Sequence, residues 1–543
     1  MSILYNKEQN LQERVNAALA DDFKHNAIET AQNTFHAKRS LLVDALPMWE
    51  DYRDACQAIR DHVTNNLDYY VAEFAKNAEA AGYILHFAPT ANDALHAVLD
   101  IVEETGALSC VKSKSMMSEE IGVNDLFEEI GVKVVETDCA EAIIQTAKDK
   151  PSHIVVPALH FNRTAIAELF RRECGYTGSD VPEEITHFLR RLLRKEFLSA
   201  DIGMRGSNFL IAETGSLTLV SNEGNGRMVD SIPEIQIAVC GIDRIIPDLA
   251  SLDVMMSMLP RSAVGAKITS YFTIDQGPRR AGEADGPREA HIILIDNGRH
   301  EVLGTPFQDM MRCMRCGACL NTCPVYRHIT GHGYGSIYPG PMGIVLTPAL
   351  EGYENAAELP YACTLCGACD DVCPGKIPLH SLVAEHRKNI IAGGYNSPVE
   401  RSVYHAAANM MSIMPLYRVL TCKVGAFGMK TLSGGKDHLG AEAAWIPVVR
   451  GWLQSRNVDN LKPVQFRDWF AMHQHAGTAG GAACAAGASS QAGAQGYTAA
   501  SADAADSGDA AATGNAADAG AGNSATEAAT TAGATASTEG ADA

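Results

Sequence analysis

Nowhere in the 543 residues is there a run of about 18 apolar residues free of charge, so the sequence offers no membrane-spanning helix. The apolar stretch Ile245–Leu259 is broken by Asp248 and Asp253. Basic residues are short, 44 against 65 acidic ones, for a net charge of −21. That argues against general binding to nucleic acid or to an anionic membrane, both of which need a basic face. No GxGxxG stands between a strand and a helix, so no dinucleotide fingerprint is present. The first residues, MSILYNKEQNLQERVNAALADDF, read as a polar helix with neither the apolar core of a signal peptide nor paired arginines. The expectation is a cytoplasmic protein, with peripheral contact at the inner face of the membrane left open. The length suggests about three to five domains, and 46% hydrophobic residues suffice to build their cores.

Cysteine, by contrast, is abundant. There are fifteen, eight of them between 313 and 373, with the rest scattered at 56, 110, 139, 174, 240, 422 and 484. Disulfide frameworks belong to small secreted domains. Clustered thiols in a long chain without an export signal point to metal ligation.

The pattern along the chain divides into five parts. Residues 1–82 read as an N-terminal helical region, with Leu41, Leu42, Ala45, Leu46, Trp49 and Tyr52 at helical spacing. Residues 83–304 alternate strand and helix, which predicts an α/β layer architecture. Strands are expected at Tyr83–Phe87, Val132–Glu136, His153–Pro157, Phe209–Ala212, Leu217–Val220, Ile235–Val239 and His291–Ile295. Helices are expected at Asn92–Glu104 and Ala140–Lys148. A cysteine-rich domain, 305–390, contains an internal repeat, RCGACLNTCP and LCGACDDVCP. A helical C-terminal segment, 391–475, holds Trp445, Trp452 and Trp469. Residues 476–543 are Ala, Gly, Ser, Thr and Asp with no Lys or Arg; they cannot bury enough apolar area to offset ordering entropy and read as a disordered tail. The fold class is therefore multidomain α/β plus α.

The chemistry lies in the repeat. Cys313, Cys316, Cys319 and Cys323-Pro324 form one run, and Cys363, Cys366, Cys369 and Cys373-Pro374 the other. Both match the iron–sulfur spacing C-x2-C-x2-C-x3-C-P. Three thiolates at i, i+3 and i+6 on a tight loop can wrap three corners of a cubane, and Gly317 and Gly367 let the backbone turn its N–H groups toward sulfur. The fourth cysteine faces away and serves the other cluster in two-cluster domains. This predicts two [4Fe–4S] clusters, one on Cys313, Cys316, Cys319 and Cys373, the other on Cys363, Cys366, Cys369 and Cys323. Structural zinc, the alternative, takes paired CxxC units instead. The helical look of the flanks Phe307–Arg312 and Pro378–Asn389 favours an all-α two-cluster ferredoxin. Between the runs, GHGYGSIYPGPMGIVLTP is too rich in Gly and Pro for a regular helix. It reads as a loop packed over the clusters to exclude water, or as a docking surface.

Three stretches, AETGSLTLVSNEGNGRM at 212–228, VYRHITGHGYGSIYPGPMGIVLTPAL after the first run and LPYACTLCGACDDVCPGKIPLH around the second, resemble the lactate utilization protein B family. The resemblance covers about residues 20–470. It implies a lactate-utilization domain with a fold like that of sugar isomerases and CoA transferases, followed by the ferredoxin and a family-specific segment. It also implies an electron-transfer subunit of a system oxidising L-lactate to pyruvate. The implied partners are a cysteine-rich CCG-domain protein and a smaller lactate-utilization-domain protein. It supplies no catalytic residue and no electron acceptor.

Alternative functions rest on the α/β part. Glu213-Thr214-Gly215-Ser216 and Ser221-Asn222-Glu223-Gly224-Asn225-Gly226 follow strands and can offer backbone N–H groups to an anion, which admits a CoA- or sugar-phosphate-converting enzyme with accessory clusters. Plain hairpin turns explain the same residues. Lys112-Ser113-Lys114-Ser115 could hold an anion or form a surface turn. Arg190, Arg191, Arg194 and Lys195 lie on an amphipathic helix and read as a solvated face, with a membrane or partner contact as the rival. A cluster-based redox sensor is a third function. His160, His187, His328 and His332 have no carboxylate or cysteine at motif spacing, and none is assigned as a ligand or base.

Overall fold

The computed structural model describes residues 8–443, 445, 453, 456–461 and 466–477. From residue 478 the tail, with Cys484, lies outside the described residues, as does Trp452.

Four helices open the chain: α1 Leu11–Leu19, α2 Asp22–Asp44, α3 Trp49–Asn65 and α4 Leu67–Ala80. Asn10 starts α1 through a reciprocal capping box with Glu13, and Asp21 caps α2 by accepting from Lys24 N–H. These helices do not stand apart. Gln32 donates to the carbonyls of Leu320 (2.7 Å) and Cys323 (3.2 Å), and Arg39 to that of Val372 (3.0 Å). Buried Arg60 donates to Ile245 and Met311, 2.7 Å each. The N-terminal helices thus strap the cysteine-rich region to the α/β core.

That core holds two sheets. Strands β1 Ile84–Ala88, β2 Ser109–Lys112, β3 Lys133–Glu136, β4 Ile202–Arg205, β5 Phe209–Ile211, β6 Ser216–Ser221, β7 Ile235–Gly241, β8 Ile245–Ile246, β9 Tyr271–Asp275 and β10 Glu289–Ile295 appear in chain order. The larger sheet runs β1-β10-β7-β4-β2-β3 and all its pairings are parallel. All of β7 is buried, as a parallel strand covered on both faces must be. One face packs Val98, Ile101 and Phe127; the other packs Phe74, Tyr83 and Leu210 over β7 and β10, and Ile143, Phe170 and Leu189 toward β2 and β3. The smaller sheet, β8-β5-β6-β9, is mixed. The stretch Ile245–Leu259 becomes β8 and then the helix Leu249–Val264, which Asp248 caps by accepting from Ser251 N–H at 2.7 Å.

Three expectations change. His153–Pro157 is not a strand. The His153 side chain takes two of its donors instead, Nδ1 accepting from Val155 N–H (3.0 Å) and Val156 N–H (3.2 Å), so neither is left for a ladder. Phe307–Arg312 is helical, but as a tighter 3-10 segment, Pro306–Arg312. The Gly- and Pro-rich linker does form a helix in its second half, Gly340–Glu351. Pro341 sits in the first turn, where its missing N–H costs nothing. Gly343 lets the helix approach Tyr338, whose carbonyl oxygen would lie 1.6 Å from an added Cβ. Tyr334, Tyr338, Met342 and Val345 are at most 2% exposed, so the linker is a packed layer.

Candidate metal centre

Each cysteine run is a loop held open by left-handed residues. In the first, Arg315 has φ +58 and Gly317 φ +77; in the second, Leu365 has φ +56 and Gly367 φ +80. The repeat in sequence is thus a repeat in backbone. These turns aim N–H groups at sulfur: Arg315 N–H at Cys313 Sγ (3.4 Å) and Leu365 N–H at Cys363 Sγ (3.3 Å). Cys323 caps the helix Pro324–Ile329, its Sγ facing Tyr326 N–H at 3.4 Å. Cys373 faces Ile377 N–H at 3.5 Å but precedes its helix, Leu379–Gly393, by several residues.

Folding crosses the two runs. Cys313, Cys316, Cys319 and Cys373 line one cavity, closed by Met314, Met342, Ile377 and Leu379. On the other side, Cys369 feels the charge of Cys323 and of Cys363, and Cys363 that of Cys366. Cys319 feels Cys369 as well as its own set, so the two groups of thiols are neighbours. Burial raises the pKa of Cys316, Cys319, Cys323, Cys363 and Cys369, and pushes Cys373 up to about 11. Thiols converging in fours, ionisable only beside a cation and met by backbone N–H groups, form a donor set that suits iron–sulfur clusters. The two sets differ in access: Cys316, Cys319, Cys369 and Cys373 are buried, while Cys366 is exposed.

The first loop is also bolted to the α/β core. Arg315 pairs with Asp243 (3.2 Å) and lies over the Tyr338 ring at 4.4 Å. Asp243 further holds Arg244 (2.5 Å) and Arg299 (2.9 Å). Arg299 meets Glu120 at 2.7 Å, and the Tyr338 hydroxyl donates to that carboxylate at 2.5 Å. Against desolvation, the charges of Arg244, Arg299 and Arg315 hold Asp243 well below the usual carboxylate range.

Known proteins bear on this arrangement directly. The LUD domain family matches residues 71–295, and the 4Fe-4S dicluster domain family matches residues 309–377. A lactate utilization protein B of Shouchella clausii is 45% identical over 86% of this chain and 97% of its own length. The chain belongs to the lactate utilization protein B family. Another such protein, from Bacillus licheniformis, is 44% identical over 85% of this chain and 96% of its own. An uncharacterized electron transport protein of Escherichia coli is 44% identical over 85% and 96%. A solved DUF162 family protein from Deinococcus radiodurans aligns to 42% of this chain at 14% identity with a TM-score of 0.25, too little to carry an argument. The dicluster match gives this member of the lactate utilization protein B family two 4Fe-4S clusters.

Elsewhere in the chain, the other candidate residues fall into place. Glu213 is exposed in the β5–β6 hairpin, where Gly215 (φ +66) passes against Ala78 N, 2.2 Å from an added Cβ. Glu223 accepts from Cys139 N–H at 3.0 Å, and Gly224 N–H donates to Ser221 Oγ at 3.1 Å. The second motif holds its own turn, while the Glu213 carboxylate stands at the surface of the first. Lys112 is not free for an anion: it is buried between Glu119 (2.7 Å) and Glu136 (2.5 Å). Lys114 lies beyond the end of β2 near Glu141, Asp138 and Glu223, and burial lowers its pKa. Arg190, Arg191, Arg194 and Lys195 face solvent while Ile185, Leu189, Leu193 and Phe197 are buried, so the helix Pro182–Ser199 has a solvated basic face. Sequence spacing missed the Asp243–Arg315 network and a meeting of Asp149, His160 and His332, since their partners are far apart in the chain.

Proposed function

We propose that this protein is the iron–sulfur electron-transfer subunit of a multi-protein system that oxidises L-lactate to pyruvate. The observation that carries the reading is the crossing of the two cysteine runs into adjacent four-thiol sets. Cys313, Cys316, Cys319 and Cys373 would hold one cluster, and Cys363, Cys366, Cys369 and Cys323 the other. Bound there, the clusters supply a pair of one-electron carriers. Met314, Met342, Ile377 and Leu379 exclude water from the first set. The first loop lies against the α/β domain, where Gly317 packs on His153 and Val155, and the second set reaches the surface at Cys366. That polarity suits entry on the α/β side and exit at the surface. The names of the relatives support lactate as the fuel. A need for partners is supported by the C-terminal segment, where Val399 (73%) and Phe427 (75%) on helices and Trp445 (70%) in a turn expose apolar surface of the kind that marks an interaction site. The partners proposed are the cysteine-rich CCG-domain protein and the smaller lactate-utilization-domain protein.

Anaerobic purification tests this. About eight iron and eight sulfide per chain are expected, and reduction should give EPR signals from two clusters. Cys316→Ser and Cys373→Ser should each lose the same cluster, and Cys323→Ser the other, leaving about four iron. Lactate-dependent dye reduction should need the partners. The isolated chain oxidising lactate at full rate, or zinc on the cysteine thiolates, would overturn the reading.

A further inference from the structure

Asp149 and His160 lie on the irregular segment between the helices Cys139–Ala147 and Arg163–Cys174, while His332 begins a 3-10 turn in the linker between the cysteine runs. One ligand atom from each lies within 4.8 Å of the other two. His160 Nε2 is 3.1 Å from Asp149 Oδ2, and His332 Nε2 is 3.9 Å from Asp149 Oδ1. Both oxygens of one carboxylate therefore face a ring nitrogen.

His160, 4% exposed, is engaged at both ring nitrogens. Nδ1 lies 2.9 Å from Ser152 Oγ and Nε2 3.1 Å from Asp149 Oδ2. The Ser152 hydroxyl can donate to the Pro157 carbonyl, 3.0 Å away, or to His160 Nδ1. In the first case Nδ1–H donates to Ser152 and the Nε2 lone pair is turned toward the carboxylate, where a cation can join the two; in the second, Nε2–H donates to Asp149.

His332 is placed just as firmly. Gly331 before it passes so close to Ser152 that an added Cβ would lie 2.0 Å from the carbonyl oxygen. Thr330, buried and β-branched, is held at φ +55, a conformation such residues rarely adopt. The Lys150 carbonyl holds the His332 ring, 2.8 Å from Nε2, and His332 Nδ1 is buried with no hydrogen-bond partner among the described residues.

We propose that Asp149, His160 and His332 bind a divalent transition-metal cation that pins the linker between the cysteine runs to the α/β domain. Two imidazoles and one carboxylate suit zinc or ferrous iron; magnesium and calcium want oxygen alone. Three protein ligands leave a position open, on the side where the Asp149 side chain is 35% exposed. The site contains no thiol and is separate from both cysteine sets. It braces the wall beside the first of them: the Ser152 carbonyl accepts from Tyr326 O–H at 2.6 Å, and His153 packs on Gly317.

The test uses the full chain, purified anaerobically with its clusters from zinc-supplemented growth. About one zinc per chain should remain after gel filtration beside an unchanged iron count. Its X-ray absorption edge should show nitrogen and oxygen neighbours, imidazole among them, and no sulfur. His160→Gln and His332→Gln should lower zinc retention more than about tenfold while keeping iron and EPR signals. If either variant also loses iron, Asp149→Asn, at the exposed edge of the site, decides by the same readout. Zinc absent from the wild type, bound through sulfur, or undiminished in Asp149→Asn would overturn the proposal. Absence from the wild type would leave a His160–Asp149 hydrogen bond in its place.

Discussion

His386 is wholly buried, its ring stacked on Phe307 with centroids 3.9 Å apart. Nε2–H donates to the Val345 carbonyl at 2.8 Å, and Nδ1 meets the Tyr353 hydroxyl at 2.9 Å. Burial, opposed by the Val345 bond, brings its pKa down to about 4, against about 6.5 in the unfolded chain. Between those values the unfolded state binds the extra proton, so stability is full above about pH 6.5 and is lost as pH falls toward 4, by about 3 kcal/mol in all. His386→Gln should be less stable than the wild type at pH 7, and that deficit should shrink on acidification. Denaturant unfolding across pH checks it; a constant deficit would mean that folding leaves the pKa of His386 unshifted. Nothing in the sequence marks His386, because Phe307, Val345 and Tyr353 reach it only through folding. The cysteines are the opposite case. Cys313, Cys316 and Cys319 must wrap one object from one loop, so their spacing is visible in the chain itself. His160 and His332 are separated by a whole domain boundary, and no spacing rule could join them.

Among the elements, the helix Gly340–Glu351 shows what composition misleads about. Its glycines and prolines read as breakers, yet Pro341 occupies the one turn that tolerates it and Gly343 serves a backbone contact. Gly343→Ala would set a Cβ 1.6 Å from the Tyr338 carbonyl oxygen, a clash with backbone that no rotamer relieves. The expected loss is about 3 kcal/mol or more, read as a lower melting temperature. Gly428→Ala, in the helix Ala426–Leu432 with nothing within 4 Å of the added Cβ, should be stabilising by up to about 1 kcal/mol. Similar losses at both positions would discard the packing argument. Long apolar strands such as Ile235–Gly241 were legible. Ser109–Lys112 and Ile202–Arg205 were not, since each is short and ends in a charge. That charge is tolerable only because Lys112 finds Glu119 and Glu136, and Arg205 finds Asp230 and Asp275.

At the scale of the whole molecule, the α/β core and the cysteine-rich region are joined by buried charge. Asp243 gathers Arg244, Arg299 and Arg315. Asp243→Asn would leave these guanidiniums under-compensated in the interior, at a cost of about 3–5 kcal/mol. Because Arg315 lies inside the first cysteine loop, the loss should be local as well as global. Iron should leave the first set for a chelator faster than in the wild type, while the second set keeps its wild-type rate. Equal rates for both sets in the variant would show that the network does not brace the loop. The chain by itself determined the chemistry: eight thiols at fixed spacing, each loop's glycine, and the alternation of strand and helix, all local features that neighbouring residues impose on one another. Only the tertiary structure decided which thiols share a cavity, which face of the linker is buried, and which charges and histidines meet across the seam. Those outcomes depend on how separate elements pack, and packing brings together residues that sequence order keeps apart.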